Sequence, residues 1–398
     1  MRIVLFKGQS QYGSLRLHID QLAAALAAMG HEAIVIDLLL PDGMARLNAA
    51  LSQPVQFFYS LNGMGVDMRV GDQTLYDAVD SLFITLHVDH PVHLWPRLEI
   101  KMDRRLIVSF LDESHVKLVR DSFPPEHFAA LSLMPPGANT SIPPAMPDEE
   151  TLFQDWAARR DIPLLFTGTY RGTPRREWHT AERNFVTTLF DDAADLALSQ
   201  DTLSLEDAID QVVAARDTSL TPASRTQLIR KSREVYRYVE AYRRHQLLVT
   251  LNAAGVPLVV YGKGWEDRPF PAFDWRGEGS FEETLRLLRR TRLVLNSNNN
   301  FVAGGHERVF AAQVNGAAVV SDISRYYDRH YTDGRDMLFY RWTALETLPG
   351  RIEAALADPA GLAAVAQAGF RQAAAHHTWD VRAGHILDLF AAVNILTR

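Results

Sequence analysis

The chain has 398 residues, 47% of them hydrophobic and 22% charged, with 23 glycines and 19 prolines; this exceeds one core of about 100–200 residues, so two domains are expected, and collagenous, coiled-coil and disordered classes are excluded. A balance of 41 basic and 48 acidic side chains leaves a net charge of −7, which gives no whole-protein basic field and argues against a nucleic-acid partner. The absence of cysteine excludes disulfides, thiol nucleophiles and thiolate metal sites and fits a cytoplasmic location.

The opening run 3–6 is too short for a secretory signal, and nowhere do about 20 apolar residues run together, so no membrane span is expected. Short apolar runs at 3–6, 33–36, 55–61, 82–88, 106–111 and 131–134 alternate with helical patterns, the signature of parallel βαβ units. Between the first two, Leu15, Ile19, Leu22, Leu26 and Met29 recur at helical spacing and Gly30 stands where a C-cap is wanted, which predicts an amphipathic crossover helix. The Pro-rich stretch 135–147 breaks both periodicities and places a domain boundary near residue 150. A new strand pattern opens at 164–170. The segment 175–251 then carries only helical patterns, with a basic stretch from Arg230 to Arg244, and reads as a helical insertion. Strand and helix signals resume at 257–261, at a helix from Ser280, at 293–295, at a helix from about His306, and at 317–321. Ser280 and Glu283 fit a capping box. Helical patterns at 343–356, 361–375 and 381–393 close the chain.

Ligands of parallel sheets bind beyond the carboxyl ends of the strands, so residues just after the apolar runs are the informative ones. Gly8-Gln9-Ser10-Gln11-Tyr12-Gly13-Ser14 follows the first strand and opens its helix. Its glycines allow close backbone approach and the helix start presents free N–H groups to a polar or anionic ligand, although the spacing is not the dinucleotide fingerprint and a tight βα turn is the alternative. His87-Val88-Asp89-His90-Pro91 ends a strongly apolar strand. A carboxylate at a strand mouth can take the proton of a substrate hydroxyl, with His87 on the same face, whereas the plainer reading is a turn that Asp89 caps and Pro91 stops. Tyr261-Gly262-Lys263-Gly264-Trp265 puts two glycines around a lysine at a strand end, where backbone amides and one ammonium can meet a phosphate; it is not a P-loop, and a solvated turn is the alternative.

The most specific segment runs from Asn296 through Gly304-Gly305-His306-Glu307-Arg308-Val309-Phe310 to Asn315-Gly316-Ala317 and Ser321-Asp322. A polar loop feeds a helix whose first turn carries His306, Glu307 and Arg308, which concentrates positive potential where a diphosphate can sit, and a nearby carboxylate can accept ribose hydroxyls.

This segment resembles the donor site of GT-B glycosyltransferases and is most similar to the spore-maturation-protein-like group. Trp275-Arg276-Gly277-Glu278 and Gly334-Arg335-Asp336-Met337-Leu338-Phe339-Tyr340 stand in the order of that group, and Asp89-His90-Pro91 resembles a short motif of its first domain. The resemblance implies an α/β protein with two Rossmann-like domains facing a cleft: an acceptor-side domain at 1–150, a nucleotide-sugar-binding domain at 151–378 with its helical insertion, and a C-terminal helix at 379–398 that packs back on the first domain. It implies a nucleotide-diphospho-sugar as co-substrate, no other cofactor, and a protein or glycan acceptor. Gly262 and Gly264 would lie against the diphosphate, Lys263 and Arg308 would neutralise it, and His306 would sit near the donor phosphate or sugar. Asn296, Gly305 and Asp322 complete the donor set. Where much of the fold has a ribose-binding Glu this chain has Ala311, and Glu307, one turn earlier, is the substitute. Asp89 is the candidate base with His87 behind it, and Gly8, Tyr12, Gly13 and His90 are acceptor-side residues. Protein cations covering the phosphates, and the lack of a DxD-like pair in the donor domain, imply that no metal is required. The rival readings are a catalytically silent nucleotide-sugar-binding or scaffold protein, suggested by Ala311, and an epimerase or hydrolase of nucleotide sugars on the same fold.

Overall fold

A computed structural model describes residues 1–140, 146–179, 183–298 and 300–396. The chain groups into two units, one of Met1–Asn139 with Ala375–Arg398 and one of Thr140–Ala374. The division thus falls at 139–140 rather than near 150, and the second unit ends before the expected 378. Pro143 and Pro144 of the expected linker lie outside the described residues, as does Asn299 of the polar loop.

In the first unit the strands are β1 (Arg2–Lys7), β2 (Glu32–Asp37), β3 (Phe57–Leu61), a small antiparallel pair β4 (Arg69–Val70) and β5 (Gln73–Thr74), then β6 (Leu82–His87), β7 (Leu106–Phe110) and β8 (Ala130–Leu133). The main sheet is wholly parallel, in the order β2-β1-β3-β6-β7-β8. Side chains alternate across it, and both faces are apolar. Ile3 and Leu5 pack with Leu22 and Leu26 of helix Ser14–Ala28 and with Ile386 and Phe390 of helix Trp379–Leu396. Val4 and Phe6 join Phe58, Phe83 and Val108 on the other side. Sheets covered on both faces carry such continuous apolar runs, and each such side chain contributes about 1.5–3 kcal/mol on burial. The C-terminal helix is also tied at its start: the Arg382 Nε donates to the Pro135 carbonyl at 2.6 Å, and a Cβ at Gly137 would come within 2.4 Å of the Trp379 ring.

The second unit repeats the plan with β9 (Ile162–Thr167), β10 (Leu258–Tyr261), β11 (Phe273–Trp275), β12 (Thr291–Leu295), β13 (Ala318–Asp322) and β14 (Leu338–Tyr340), all parallel in the order β11-β10-β9-β12-β13-β14. Helices Phe185–Leu198, Leu205–Ala214, Pro222–Lys231 and Arg233–Ala253 lie between β9 and β10, where the insertion is expected. The Ser280–Glu283 capping box is formed. The single helix expected over 343–356 is instead a 3₁₀ segment, Trp342–Thr347, followed by helix Leu348–Ala357, with Ala344 out of helical conformation. Among the described residues no helix is long and apolar enough to cross a membrane.

In each sheet the strand order reverses beside the first strand, between β1 and β3 and between β9 and β12. Diverging connections open a crevice at such a point, at the carboxyl ends of the strands.

Candidate functional site

At the β9/β12 reversal the loop after β12 and the start of helix Glu307–Val314 meet. The Arg308 Nη1 donates to the buried Asn296 Oδ1 at 2.9 Å, and its guanidinium carbon lies 5.8 Å from the centre of the Phe166 ring, on β9. A Cβ at Gly168, just beyond β9, would stand 3.9 Å from the Arg308 Nη2. Arg308 therefore bridges the ends of the two diverging strands. Burial pulls its pKa down, the neighbouring Glu307 opposes that, and Arg244 adds to it; the Arg244 Nη1 donates to the Thr169 carbonyl at 2.9 Å. Among the described residues no carboxylate forms an ion pair with Arg308. Arg244 also meets Glu240 Oε1 at 3.5 Å, so the two guanidiniums near the helix start are partly balanced by carboxylates and still offer donors to an anion.

Asn296 is spent on internal bonds: its Nδ2 donates to Ser321 Oγ at 2.9 Å and its carbonyl accepts from the Tyr340 hydroxyl at 3.0 Å. Asp322 is likewise a staple. Its Oδ1 accepts the Asn298 N–H at 2.6 Å, its Oδ2 accepts the Trp342 indole N–H at 3.1 Å, and burial pushes its pKa up to about 6. His306 caps the helix, with Nδ1 3.2 Å from the Arg308 N–H and 2.8 Å from Glu307 Oε2. The cap uses the Nδ1 lone pair and the ion pair needs a proton there, so the two contacts belong to different protonation states. Gly305 is small by necessity, since a Cβ would lie 2.6 Å from the Phe310 ring. Ala311 is buried on the same helix.

The glycines after β10 answer to packing. Gly262 and Gly264 have φ of +140° and +82°, and a Cβ on them would lie 2.3 Å from the Gly168 carbonyl and 1.9 Å from that of Tyr170. They let the loops after β9 and β10 run backbone to backbone. Lys263 between them is exposed, and its ammonium stands 3.5 Å from Glu278. The second cation brought to Arg308 is Arg244 of the insertion, which the sequence left inside a run of charges.

At the β1/β3 reversal of the first unit lies an open recess of about 850 Å³, lined by residues that include Gly8, Leu15, Leu39, Asn62, Met64 and Asp89. Gly8 underlies Met64, whose sulfur a Cβ would meet at 2.3 Å. Asn62, in left-handed conformation at φ 55°, organises Asp89. Its Nδ2 donates to Asp89 Oδ2 at 2.7 Å, its Oδ1 accepts the Val88 N–H at 2.8 Å, and its carbonyl accepts from Arg97 Nη1 at 2.6 Å. Asparagine is one of the few residues at ease in this conformation. Neither Asn62 nor Arg97 is conspicuous in the sequence; the signal available was the position of Asn62 just past a strand and before a Gly.

His87 is not behind Asp89 in any hydrogen-bonded sense. It is buried against Phe110, its Nδ1 has no partner among the described residues, and burial with the nearby Arg97 pushes its pKa down to about 3. Its neutral form is the favoured one at ordinary pH, and among the described residues it makes no hydrogen bond to Asp89. His90, not Asp89, caps the next helix, Pro91–Leu98: its Nδ1 accepts the Val92 N–H at 3.2 Å, and burial holds its pKa well below the usual histidine range. Gly13 caps helix Ser14–Ala28 at φ +81°, and Tyr12 accepts from Gln11 at 3.2 Å; neither they nor His90 line the recess. Asp37 after β2 pairs with Arg16 at 3.2 Å through its Oδ1.

Residues 243–388 match a family model described as glycosyl transferase-like. No curated protein sequence matches the chain. Among solved structures, sucrose-phosphate synthase from Thermosynechococcus elongatus aligns over 100% of both chains at 11% identity and a TM-score of 0.55. AviGT4, a glycosyltransferase involved in avilamycin A biosynthesis, aligns over 99% of this chain and 98% of its own at 14% identity and a TM-score of 0.53. HepE of Anabaena in complex with UDP-glucose aligns over 98% of this chain and 100% of its own at 10% identity and a TM-score of 0.54. The fold is of the GT-B type, two Rossmann-like α/β units with a helical insertion in the second.

Proposed function

We propose that this chain is a glycosyltransferase that takes a sugar from a nucleotide-diphospho-sugar bound by the second unit and places it on a hydroxyl of a glycan or protein acceptor at the first. The observation that carries this reading is Arg308: a buried cation at the topological switch point, in no close ion pair among the described residues, beside Arg244 and a helix start. Both arginines fall within the segment that matches the glycosyl transferase-like model. HepE holds UDP-glucose, which makes UDP-sugars the first donors to test here. Within the wider class, the Arg-Val-Phe helix and the strand ending in Asp322 keep the spore-maturation-protein-like group as the narrower reading, and the missing cysteines a cytoplasmic one.

In a direct displacement the acceptor oxygen forms a bond to the anomeric carbon and gives its proton to Asp89. The bond from that carbon to the diphosphate oxygen breaks with its electron pair. Arg308, Arg244 and the helix start stabilise the charge that develops on the departing diphosphate. Asn62 holds the Asp89 carboxylate by one oxygen, which fixes its direction. Because protein cations take this role, we expect transfer to survive exhaustive chelation; activity lost and restored only by a divalent ion would overturn that part. Glu307 is the candidate for the ribose hydroxyls in place of Ala311.

A ligand that binds only the folded state raises its melting temperature by mass action. A screen of nucleotide sugars should find at least one that does so in the wild type and not in Arg308→Ala. No shift with any donor would sink the proposal.

A further inference from the structure

The first-unit recess has a mixed lining. Asp89, Asn62, Arg97 and Arg16 line it together with Leu15, Leu38, Leu39 and Met64. Of the lining residues Leu39 is 52% exposed, and its neighbours in the chain, Leu40 and Met44, are 47% and 56% exposed. Single exposed leucines need no explanation, but three large apolar side chains within six positions, the first of them lining a partly apolar recess, are a local concentration of exposed apolar area.

These leucines are held outward. The Leu38 N–H donates to the Lys7 carbonyl at 2.8 Å, the Leu39 N–H to Asp37 Oδ1 at 3.1 Å, and the Leu40 N–H to the Asp37 carbonyl at 3.3 Å. Asp37 is in turn fastened by Arg16. Gly43 closes the turn with its N–H on the Leu40 carbonyl at 3.0 Å, and it lies so near Asp37 that a Cβ would meet that carbonyl at 2.5 Å. A backbone so bonded presents apolar side chains to solvent without the freedom to fold them away. Such preorganisation lowers the entropic cost of binding an apolar ligand.

We infer that the acceptor is amphipathic, with a hydroxyl-bearing polar head at Asp89 and Asn62 and an apolar aglycone lying over Leu15, Leu38 and Leu39 and out along Leu40 and Met44. Calling the occupant an acceptor rests on the glycosyltransferase reading; the mixed lining does not. A sugar alone would leave the exposed leucines bare, whereas a head joined to an apolar chain matches both kinds of lining side chain.

The test is calorimetric titration of the full chain with octyl β-D-glucopyranoside, kept below its micelle concentration, and with methyl β-D-glucopyranoside. The octyl compound should bind at least tenfold more tightly. The double variant Leu39→Ser, Leu40→Ser should lose that advantage while keeping its melting temperature, since both side chains are exposed. Equal affinity for the two glycosides, binding of neither, or an octyl preference untouched by the double variant would overturn the inference. So would pelleting with phosphatidylcholine vesicles that the double variant abolishes, which would give the leucines to a membrane surface. A sedimenting dimer that the double variant dissolves would give them to a second copy of the chain. Arg308→Ala should bind octyl glucoside like the wild type, so a failed donor screen would remove the transferase reading without touching this result.

Discussion

At the β1/β3 reversal of the first unit a carboxylate and a carboxamide stand beside an open, partly apolar recess, whereas at the β9/β12 reversal of the second unit two guanidiniums converge on carbonyls, a carboxamide and a helix start. The topology of the two places is the same and their chemistry differs: a carboxylate with Arg97 beside it at the first, two arginines with Glu307 and Glu240 beside them at the second. On the proposed function, one plan of strands would yield a site for accepting a proton and a site for an anion, the difference residing in a few side chains at strand ends. Fold and function are separable at this level, since ligand chemistry is grafted onto a crevice that topology provides.

The comparison breaks most readily at its two charged centres. Arg308→Ala should lower transfer by about 10²–10³-fold, the loss typical of removing one donor to a developing oxyanion, and should abolish the donor-induced rise in melting temperature. Asp89→Asn should cost transfer as heavily but leave that rise intact. If both variants lose donor binding, the division of labour between the units is wrong.

Next in size is the backbone of the second site. Gly264→Ala places a Cβ against the Tyr170 carbonyl and forces a side chain onto a φ of +82°, which should cost on the order of 3 kcal/mol of stability; a melting temperature within a degree or two of wild type would show that the loops after β9 and β10 part readily.

The two sites should also respond to acid in opposite directions. Asp322 keeps its proton up to about 6 in the folded chain against 3.8 in the unfolded one, so its contribution to stability is full below pH 4 and is lost as pH rises through 6. His87 resists protonation down to about 3, against 6.5 unfolded. Its contribution is full above pH 6.5 and is lost as pH falls. Between pH 4.5 and 7 each drift amounts to about 2–2.5 kcal/mol by linkage. Denaturant unfolding at pH 4.5 and 7 checks this: Asp322→Asn should remove the gain on acidification and His87→Phe the loss. A variant whose offset from wild type is independent of pH would break the pairing.

The smallest effect is expected at Lys263. Its exposed pair with Glu278 should make Lys263→Ala worth less than about 0.5 kcal/mol, with donor affinity within threefold of wild type. A tenfold loss would restore Lys263 to the donor site and weaken the case for Arg244.

Much of the fold was legible because continuous apolar runs and helical spacing are properties of neighbouring residues. The runs at 3–6, 33–36, 82–88 and 106–111 became β1, β2, β6 and β7, and Gly30 and Ser280 mark helix ends as their chemistry requires. The strands β11 and β14 escaped because three residues carry too little periodicity. The sites were legible only as places. Whether Asp322 faces solvent or staples a loop, whether Gly262 clears space for a phosphate or for the Gly168 carbonyl, and whether Lys263 or Arg244 accompanies Arg308 depend on which distant segments adjoin. His90 rather than Asp89 takes the cap for the same reason: the Asp89 carboxylate is already engaged by Asn62, which lies far away in the chain.

Helix Trp379–Leu396 supplies Ile386 and Phe390 to the core of the first unit. During synthesis the first sheet therefore leaves the ribosome with one face covered only in part, by helix Ser14–Ala28, and the rest of that face stays open until the segment after residue 375 follows. The unit made first is the one finished last, and a nascent chain must carry exposed Phe57 through the folding of everything between. A stop codon near residue 375 would accordingly wound the amino-terminal half of the molecule, although every residue of its sheet would still be present.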